Sequence, residues 1–354
     1  MKRILAINPG STSTKIALYA DKEVIFVETL DHPVNEIQKY EHVQEQFDFR
    51  KNVIIDLLNK NDITLESLDA VVGRGGLLPP VKSGAYRVND VMVNRLKNDP
   101  VVEHASNLGA LIAYEIAEKQ GIEAFIYDSV AVDEITDVAR ISGMPVIPRR
   151  SLSHALNARA MAHKFAKKTG NNYEEMNLIV AHLGGGISVT AHKNGKMIDL
   201  SSDDEGAFSP ERAGRVPCNK LIDLCYSGEY DRKTMKKMLR GKGGLTAYLG
   251  TVDAREVEKM IEEGNLEAKM VYEAMAYQVS KAIGELATVL KGKVDGIILT
   301  GGIAYSKMMT DWIIDSVSFL GPVEILAGEN ELESLAFGTL RVLSGEEEAK
   351  IYTE

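Results

Sequence analysis

Two short turns in this chain combine the residue types that bind phosphate. The first is Asn8-Pro-Gly-Ser-Thr-Ser-Thr-Lys15 and the second is His182-Leu-Gly-Gly-Gly186. Each turn joins two apolar segments, and a shift of 174 positions places Asn8 on His182. Small residues leave backbone N–H groups free to surround an anion, while the hydroxyls and Lys15 add further donors. The pair predicts two hairpins that hold a nucleotide polyphosphate, as in a kinase or an ATPase.

A third glycine turn, Thr300-Gly-Gly-Ile-Ala304, follows an apolar strand and precedes a helix. Backbone without side chains lets a flat ring approach closely, so this turn is a candidate for binding adenosine. Asp253-Ala-Arg255 opens another helix and could reach the same nucleoside. Aspartate at the start of a helix is also a common cap, and both interpretations stay open here.

Several charged or titratable side chains stand where α/β proteins bind ligands. Arg74 lies in a glycine turn after one buried strand, and Asp128 ends another, a position that also suits Mg²⁺ or its water. His154 begins a helix and could donate a hydrogen bond to a phosphoryl oxygen. Arg212 lies in a further glycine loop, where Arg215 competes with it, and the residues alone do not separate the two.

The composition predicts a globular protein of two domains. The chain has 354 residues, of which 45% are hydrophobic and 26% charged, proportions typical of folded domains. Because the net charge is -10, nucleic-acid binding is not expected, and anions must be held by a few cations in a cleft. Two cysteines, no signal-peptide core and no run of membrane-spanning length predict a cytoplasmic protein without a membrane partner.

The elements that must position these residues recur in the same order in both halves. Each half begins with three strands, and Asn194-Gly195 predicts a tight hairpin turn before the third strand of the second half. This order favours α/β domains of common ancestry. Helices are predicted over 34–60, 107–119, 151–168 (with Ser151 as cap), 219–226, 231–239, 253–263, 266–291 and 331–343. Histidines without a partner pattern, expected at the surface, are His32, His42, His163 and His192.

Taken together, the motifs resemble the acetate kinase family, within the superfamily of acetate and sugar kinases, heat-shock chaperones and actin. The resemblance covers essentially the full length. It implies an α/β fold of two similar actin-like (ribonuclease H-like) domains with a nucleotide cleft between them. The first domain would comprise residues 1–131 and 333–354, and the second residues 132–332. The motifs that carry it are Asn8–Lys15, Gly73–Gly76, Tyr127-Asp128, Ser153-His154, His182–Gly186 and Thr300–Gly302.

The resemblance also implies residue roles. Arg212 is preferred to Arg215 because Arg212-Ala-Gly is similar to the family's Arg-Ser-Gly. Mg²⁺ is expected near Asn8 and Glu331. The implied catalytic residues are Asp128, Arg74, His154, Arg212 and His182. The residues implied to bind ATP or ADP, the co-substrate, are Asn8, Gly10, Ser11, Ser13, Lys15, His182, Leu183, Gly184, Gly185, Gly186, Asp253, Ala254, Arg255, Gly301, Gly302, Ile303, Ala304 and Ser306.

Two departures from the family concern the acyl substrate. Acetate kinases have two valines after the equivalent of Arg74 and a phenylalanine before the equivalent of His154, whereas this chain has Gly75, Gly76 and Ser153. Smaller side chains are expected to open the acyl pocket, and each further buried CH₂ gains ~0.8 kcal/mol. The predicted reaction is therefore reversible transfer of the γ-phosphoryl group of ATP to butyrate, giving ADP and butyryl phosphate.

Other functions stay open. The acid could be isobutyrate, propionate or acetate. An actin-like ATPase or chaperone could use the same nucleotide clamp without a small acid, but it would leave Arg74, His154 and Arg212 without a role. A sugar kinase would need Asp128 as a base for a hydroxyl group. The family also suggests a homodimer or a larger homo-oligomer.

Overall fold

The structure is a computed structural model that describes residues 1–202 and 204–353. The chain divides into two compact units, Met1–Asp133 with Asn330–Glu354, and Glu134–Glu329. Each unit contains one β-sheet, with helices packed against it. Among the described residues, no helix is both long and apolar enough to cross a membrane.

Strands and helices follow one another along the chain. The strands are β1 Arg3–Pro9, β2 Ser13–Ala20, β3 Glu23–Asp31, β4 Ala70–Gly73, β5 Ala85–Arg87, β6 Glu123–Tyr127, β7 Asn177–Leu183, β8 Ile187–Lys193, β9 Lys196–Ser201, β10 Gly296–Gly301, β11 Val323–Ala327 and β12 Lys350–Ile351. The α-helices are α1 Val34–Ile37, α2 Phe47–Lys60, α3 Asp90–Asn98, α4 Asn107–Gln120, α5 Asp137–Arg140, α6 Ala155–Thr169, α7 Cys218–Cys225, α8 Arg232–Leu239, α9 Gly244–Leu249, α10 Ala254–Glu262, α11 Leu266–Val289, α12 Lys307–Val317 and α13 Glu331–Leu343.

Both sheets begin with the same antiparallel arrangement. In the first unit β1, β2 and β3 are antiparallel neighbours and β4 joins β1 in parallel, within the order β12-β5-β6-β4-β1-β2-β3. In the second unit β7, β8 and β9 take these places and β10 joins β7 in parallel, within the order β11-β10-β7-β8-β9. Strands β1 and β7 begin and end 174 residues apart. The internal repeat of the sequence is therefore a repeat of sheet topology.

The first strand of each sheet lies at the centre of its unit. Residues 4–7 of β1 and 178–181 of β7 are fully buried. Continuous apolar runs of this kind belong to strands that are covered on both faces. In the first unit α13 and α4 pack on this part of the sheet, and in the second unit α6 and α11 do so. The turns that follow β1 and β7 are thus anchored on rigid strands.

Two predicted helices differ from the structure. The helix predicted over 34–60 is broken between α1 and α2, because the Glu45 carboxylate accepts hydrogen bonds from the N–H groups of Glu41 and His42 and starts a new segment there. The helix predicted from Ser151 begins at Ala155, so the prediction of Ser151 as its cap is wrong.

Two histidines expected at the surface are instead buried. His32 is 4% exposed and shares a hydrogen bond with the Thr14 hydroxyl at 2.8 Å. His192 is fully buried between the hydroxyl groups of Tyr173 and Thr190, each at 2.8 Å. Burial lowers the pKa of His32 to about 4 and that of His192 to about 3, with a further contribution from a nearby arginine in each case. Both rings are therefore neutral at pH 7.

Candidate active site

In the first unit, three of the predicted residues meet at the end of β1. Asn8 is 6% exposed, and its Nδ2 donates to Glu331 Oε2 at 2.5 Å. Arg74 directly follows β4, and its Nη1 lies 2.6 Å from Glu331 Oε1. Glu331 is the first residue of α13. One carboxylate thus holds an amide and a guanidinium at the carboxyl ends of two neighbouring parallel strands, where α/β proteins bind ligands.

A contact between two glycines places Arg74. Gly73 ends β4 and Gly109 lies in α4, where a side chain on Gly73 would overlap the Gly109 carbonyl group. A Cβ on Gly109 would in turn lie 2.6 Å from the carbonyl oxygen of Arg74. The helix can approach the strand end this closely only because both residues lack side chains.

Asp128 follows β6 with a φ of 40°, in the left-handed region. It is 3% exposed, and its Oδ1 accepts a hydrogen bond from the Gly84 N–H at 2.7 Å. This backbone conformation is uncommon for residues other than glycine, and strained residues of this kind cluster at functional sites. The backbone and the hydrogen bond together hold the carboxylate in a defined orientation.

We define the first glycine turn as residues 9–13. It closes with a hydrogen bond from the Gly10 N–H to Ser13 O at 2.8 Å. Ser11 is exposed, and Lys15 is exposed on β2 opposite Asn8. Gly10 does not have a positive φ, and a Cβ there would meet Ser13 O at an ordinary 3.5 Å. The turn itself therefore does not require the glycine.

Gly75 and Gly76 do not open space for an acyl chain. A Cβ on Gly75 would lie 2.6 Å from the Cβ of Ser129, and one on Gly76 would lie 2.7 Å from the Cα of Asn107. Neighbouring residues fill the space where valine side chains would stand. The expected widening at these two positions is therefore not found, because Ser129 and Asn107 lie too close for any open volume there.

In the second unit, two of the predicted histidines are stacked. The ring centroids of His154 and His182 are 3.9 Å apart, and their planes differ by 11°. His154 directly precedes α6, and its Nδ1 shares a hydrogen bond with Ser188 Oγ at 2.9 Å. His182 Nδ1 donates to Asn157 Oδ1 at 2.8 Å, and Asn157 Nδ2 donates to Gly328 O. The second bond sets the orientation of the amide and hence the tautomer of His182.

The other nitrogen of His182, Nε2, is the reactive end of this arrangement. His182 is 2% exposed, and within the described residues no hydrogen bond reaches Nε2. Glu329 Oε1 lies 3.4 Å away, and a Cβ on Gly184 would lie 2.9 Å away. Because Nδ1 carries the proton donated to Asn157, Nε2 bears a lone pair in the neutral ring. Only the imidazolium can donate from Nε2 to an anionic oxygen.

We define the second glycine turn as residues 184–186. The Gly184 N–H donates to Gly186 O at 3.1 Å, and Ser209 Oγ donates to Gly185 O at 2.7 Å. The guanidinium of Arg212 lies against Gly186, where a side chain would overlap it. The turn therefore has a cation beside it and a hydroxyl group that holds one of its carbonyls.

The two competing arginines have different surroundings. Arg215 forms two hydrogen bonds with the Glu285 carboxylate, at 2.7 and 2.9 Å, which raise the pKa of Arg215 and lower that of Glu285. Arg212 is instead the one beside the second glycine turn. The geometry favours Arg212 for phosphate chemistry because its guanidinium lies beside the second glycine turn, whereas Arg215 is held at Glu285.

A pocket of about 770 Å³ opens beside the second glycine turn, within the second unit. Its lining joins that turn to the start of α10 and to the segment before α12. The predicted nucleotide residues in the lining are Gly184, Gly185, Asp253, Ala254, Arg255, Gly302, Ile303 and Ser306. The lining residues that the sequence did not reveal are Pro210, Glu211, Val252, Glu258, Tyr305 and Glu329.

Other predicted nucleotide residues support the pocket without lining it. Gly301 has a φ of 89°, and a side chain there would overlap the backbone of Leu183. Leu183 is fully buried and Ala304 is 3% exposed. These residues therefore allow β7 and β10 to come together behind the pocket.

Asp253 and Arg255 form a closed pair. Asp253 caps α10 by accepting from the Arg255 N–H at 2.9 Å, and its Oδ2 lies 2.6 Å from Arg255 Nη2. The hydrogen bonds from Arg255 lower the pKa of Asp253 to about 2. Asp253 is therefore a helix cap, one of the two roles that the sequence left open. Asp253 and Arg255 also line the pocket.

The fold and the sequence of this chain are both similar to those of known proteins. The crystal structure of acetate kinase from Porphyromonas gingivalis superposes with a TM-score of 0.82 at 19% identity, covering 97% of this chain and all of that one. Residues 147–351 match the model of the acetokinase family. The chain belongs to the acetokinase family.

Relatives within that family extend over the whole chain. Butyrate kinase 2 of Clostridium acetobutylicum is 53% identical over 352 residues, 99% of both chains. Butyrate kinase 1 of the same organism is 52% identical over 354 residues, 99% of this chain and 100% of the relative. The predicted family and the predicted two-domain α/β fold are confirmed.

Proposed function

We propose that this protein is a carboxylate kinase that transfers the γ-phosphoryl group of ATP reversibly to butyrate. One observation carries the proposal: the pocket of the second unit runs from the second glycine turn, beside His182 Nε2, to Gly302 and Ser306. Its size and its glycine-rich ends suit a nucleoside phosphate. The choice of butyrate is supported by the full-length similarity to two butyrate kinases.

The chemistry requires positioning and charge more than proton transfer. A carboxylic acid is already ionised at pH 7, so its oxygen can attack phosphorus without a general base. We assign Arg74 and Arg212 to the carboxylate and to the charge that develops on the phosphoryl oxygens. We assign His182 to a phosphoryl oxygen, which it meets through Nε2, and the stacked His154 holds its ring plane. We also assign Asp128 to the catalytic residues, as the acidic group among them.

The residues expected near Mg²⁺ suit an ion that keeps most of its water. Within the described residues there is no group of three or more histidine, cysteine, aspartate or glutamate side chains that could hold a metal. Asn8 and Glu331 offer hard oxygen atoms, and Glu331 already accepts from Asn8 and Arg74. We therefore propose that both residues hold the ion together with water and nucleotide phosphates. When bound, Mg²⁺ supplies positive charge to those phosphates.

The remaining assignments follow from this activity. We propose that the two units are the two actin-like domains of the enzyme. We place the reaction in the cytoplasm, where ATP is available and where the free, exposed thiols of Cys218 and Cys225 stay reduced. We also propose a homodimer or a larger assembly, which light scattering on the purified protein would detect.

The test measures ADP release and acyl phosphate formation with straight and branched acids of two to five carbons. We expect the highest kcat/KM with butyrate and lower values with isobutyrate, propionate and acetate. ATP hydrolysis without added acid, or a clear preference for acetate, would contradict the proposal. Arg74→Ala should lose acyl phosphate formation. Arg87→Ala is its control, because Arg87 is an exposed arginine on β5, in the sheet whose strand β4 precedes Arg74, and pairs with Glu123 at 2.5 Å.

A further inference from the structure

Arg50 is a buried arginine that no motif of the sequence marks. It lies in α2, is 1% exposed, and its Nη1 donates to Gly10 O at 2.8 Å and to Ser13 O at 3.1 Å. Its Nη2 donates to Ser11 O at 3.0 Å. Both Nε and Nη2 also donate to Gln46 Oε1. One guanidinium therefore captures three carbonyl oxygens of the first glycine turn.

The charge of Arg50 has no carboxylate partner among the described residues. None of their ion pairs includes Arg50, and burial alone lowers the pKa of Arg50 to about 10. The side chain remains charged at pH 7. The neighbouring ring of His32 is neutral at that pH, and Thr14 lies between the two, bonded to both. The hydrogen bonds of Arg50 go to neutral acceptors, so its positive charge is not cancelled and can attract an anion that binds nearby.

The same bonds decide where the backbone donors of the turn are directed. In a trans peptide the C=O and N–H groups point in opposite directions, and the described chain has no cis peptide. Because the carbonyls of Gly10 and Ser11 point to Arg50, the N–H groups of Ser11 and Thr12 point away from it. Within the described residues these two N–H groups make no hydrogen bond, and both side chains are exposed. Successive free N–H groups of this kind bind anions.

We propose that Arg50 is the positioning residue of the first glycine turn. It presents the N–H groups of Ser11 and Thr12 to the nucleotide phosphates and places an unpaired positive charge behind them. This inference rests on the proposed function, since it assigns a phosphate ligand to that turn. Arg50 contacts the backbone of the turn, so we expect its effect to be on the binding of phosphate.

The test measures how two variants change the affinity for a nucleotide that has phosphates and for a nucleoside that has none. Gln46→Glu gives Arg50 a carboxylate partner, keeps the hydrogen bonds of Nε and Nη2, and removes only the net charge. Arg50→Lys keeps the charge but loses the planar fork. For each variant, calorimetry measures the affinity for adenylyl imidodiphosphate with Mg²⁺ and for adenosine. We expect both variants to bind the ATP analogue about tenfold more weakly, with KM for ATP rising similarly, and adenosine as tightly as the wild type does.

The control is Arg159→Lys. Arg159 is also buried and donates to the carbonyl of another hairpin turn, at Gly195, at 2.8 Å. We expect this variant to melt at a lower temperature and to bind the ATP analogue normally. Wild-type affinity in folded Gln46→Glu and Arg50→Lys would overturn the inference, and so would an equal loss for adenosine. Failure of the proposed function would show separately, since the wild type would then form no acyl phosphate.

Discussion

The two glycine turns occupy equivalent places in two sheets that begin with the same strand arrangement, but they are supported in different ways. The first is held from the interior by the buried guanidinium of Arg50. The second is held by the Ser209 hydroxyl and has Arg212 and His182 beside it. The repeated strands thus determine where each turn lies. The chemistry of each turn depends on the residues that other elements bring to it.

The largest effect is expected from the cation beside the second glycine turn. Arg212→Ala should lower kcat by about 10³-fold, because arginine stabilisation of a transferring phosphoryl group is worth roughly 10³–10⁵ in rate. Arg215→Ala should leave kcat within about threefold, because the guanidinium of Arg215 is already paired with the Glu285 carboxylate. Steady-state ADP release, with melting curves for folding, checks both. Equal losses in the two variants would remove the distinction between them.

The next effect concerns the orientation of His182. Asn157→Leu keeps the volume of the side chain but removes the acceptor for His182 Nδ1, so kcat should fall about 10- to 100-fold with little change in KM for ATP. Asn89→Leu is the control, because it removes the cap of α3 and should cost about 1 kcal/mol of stability without changing kcat. A normal kcat in Asn157→Leu would show that catalysis does not depend on the hydrogen bond that orients His182.

His32 lies buried in the first unit and His192 in the second, so the pH dependence of the unfolding free energy can be compared between the two units. The pKa values of His32, about 4, and His192, about 3, lie below the ordinary value of 6.5. The unfolded chain therefore binds the extra protons, so stability is complete above about pH 6.5 and falls as the pH decreases. Between pH 7 and 5 each histidine should cost about 2 kcal/mol of unfolding free energy.

Denaturant unfolding at pH 7 and pH 5 checks this prediction. His32→Gln and His192→Gln replace a titrating ring by a neutral amide, so each should reduce the loss between the two pH values by about 2 kcal/mol. Carboxylates that titrate in this range affect the wild type and the variants equally. A loss that is the same in all three proteins would contradict the assignment.

The smallest effect compares the glycines themselves. In Gly10→Ala the new Cβ meets Ser13 O at an ordinary 3.5 Å, so stability should stay within about 1 kcal/mol of the wild type. In Gly184→Ala the Cβ would lie 2.9 Å from His182 Nε2 and 3.2 Å from Glu329 Oε1, so the site must shift and kcat should fall about tenfold. Unfolding and ADP release measure the two changes. Normal kcat in Gly184→Ala would mean that His182 tolerates displacement.

Some residues of the site could have been predicted from their spacing to residues that the sequence had already indicated. Asn157 follows His154 by three residues on the first turn of α6, so the two lie on neighbouring parts of one helix face. Glu258 lies on α10 after the predicted Asp253–Arg255 segment and lines the same pocket. Arg50 had no comparable signal, because a single arginine in a mixed polar helix predicts a solvated side chain.

Gly75 and Gly76 show the opposite case, because the open space expected beside these two small residues is not found. Gly75 and Gly76 are smaller than the valines of acetate kinases, but Ser129 and Asn107 occupy the space beside them. Protein interiors are close-packed, so a position without a side chain need not leave a void beside it. A preference for butyrate must therefore come from residues other than these two.

The sequence by itself determined the two hairpins, the family and the positions of the glycine turns. Apolar runs and turn residues act over a few neighbouring positions, and a repeat of 174 residues is visible without any coordinates. Only the tertiary structure decided which side chains serve those turns. Asn8 meets Glu331 across 323 positions of sequence, and Arg50 reaches Gly10 across 40. Contacts of this kind depend on how whole elements pack, so no local pattern encodes them.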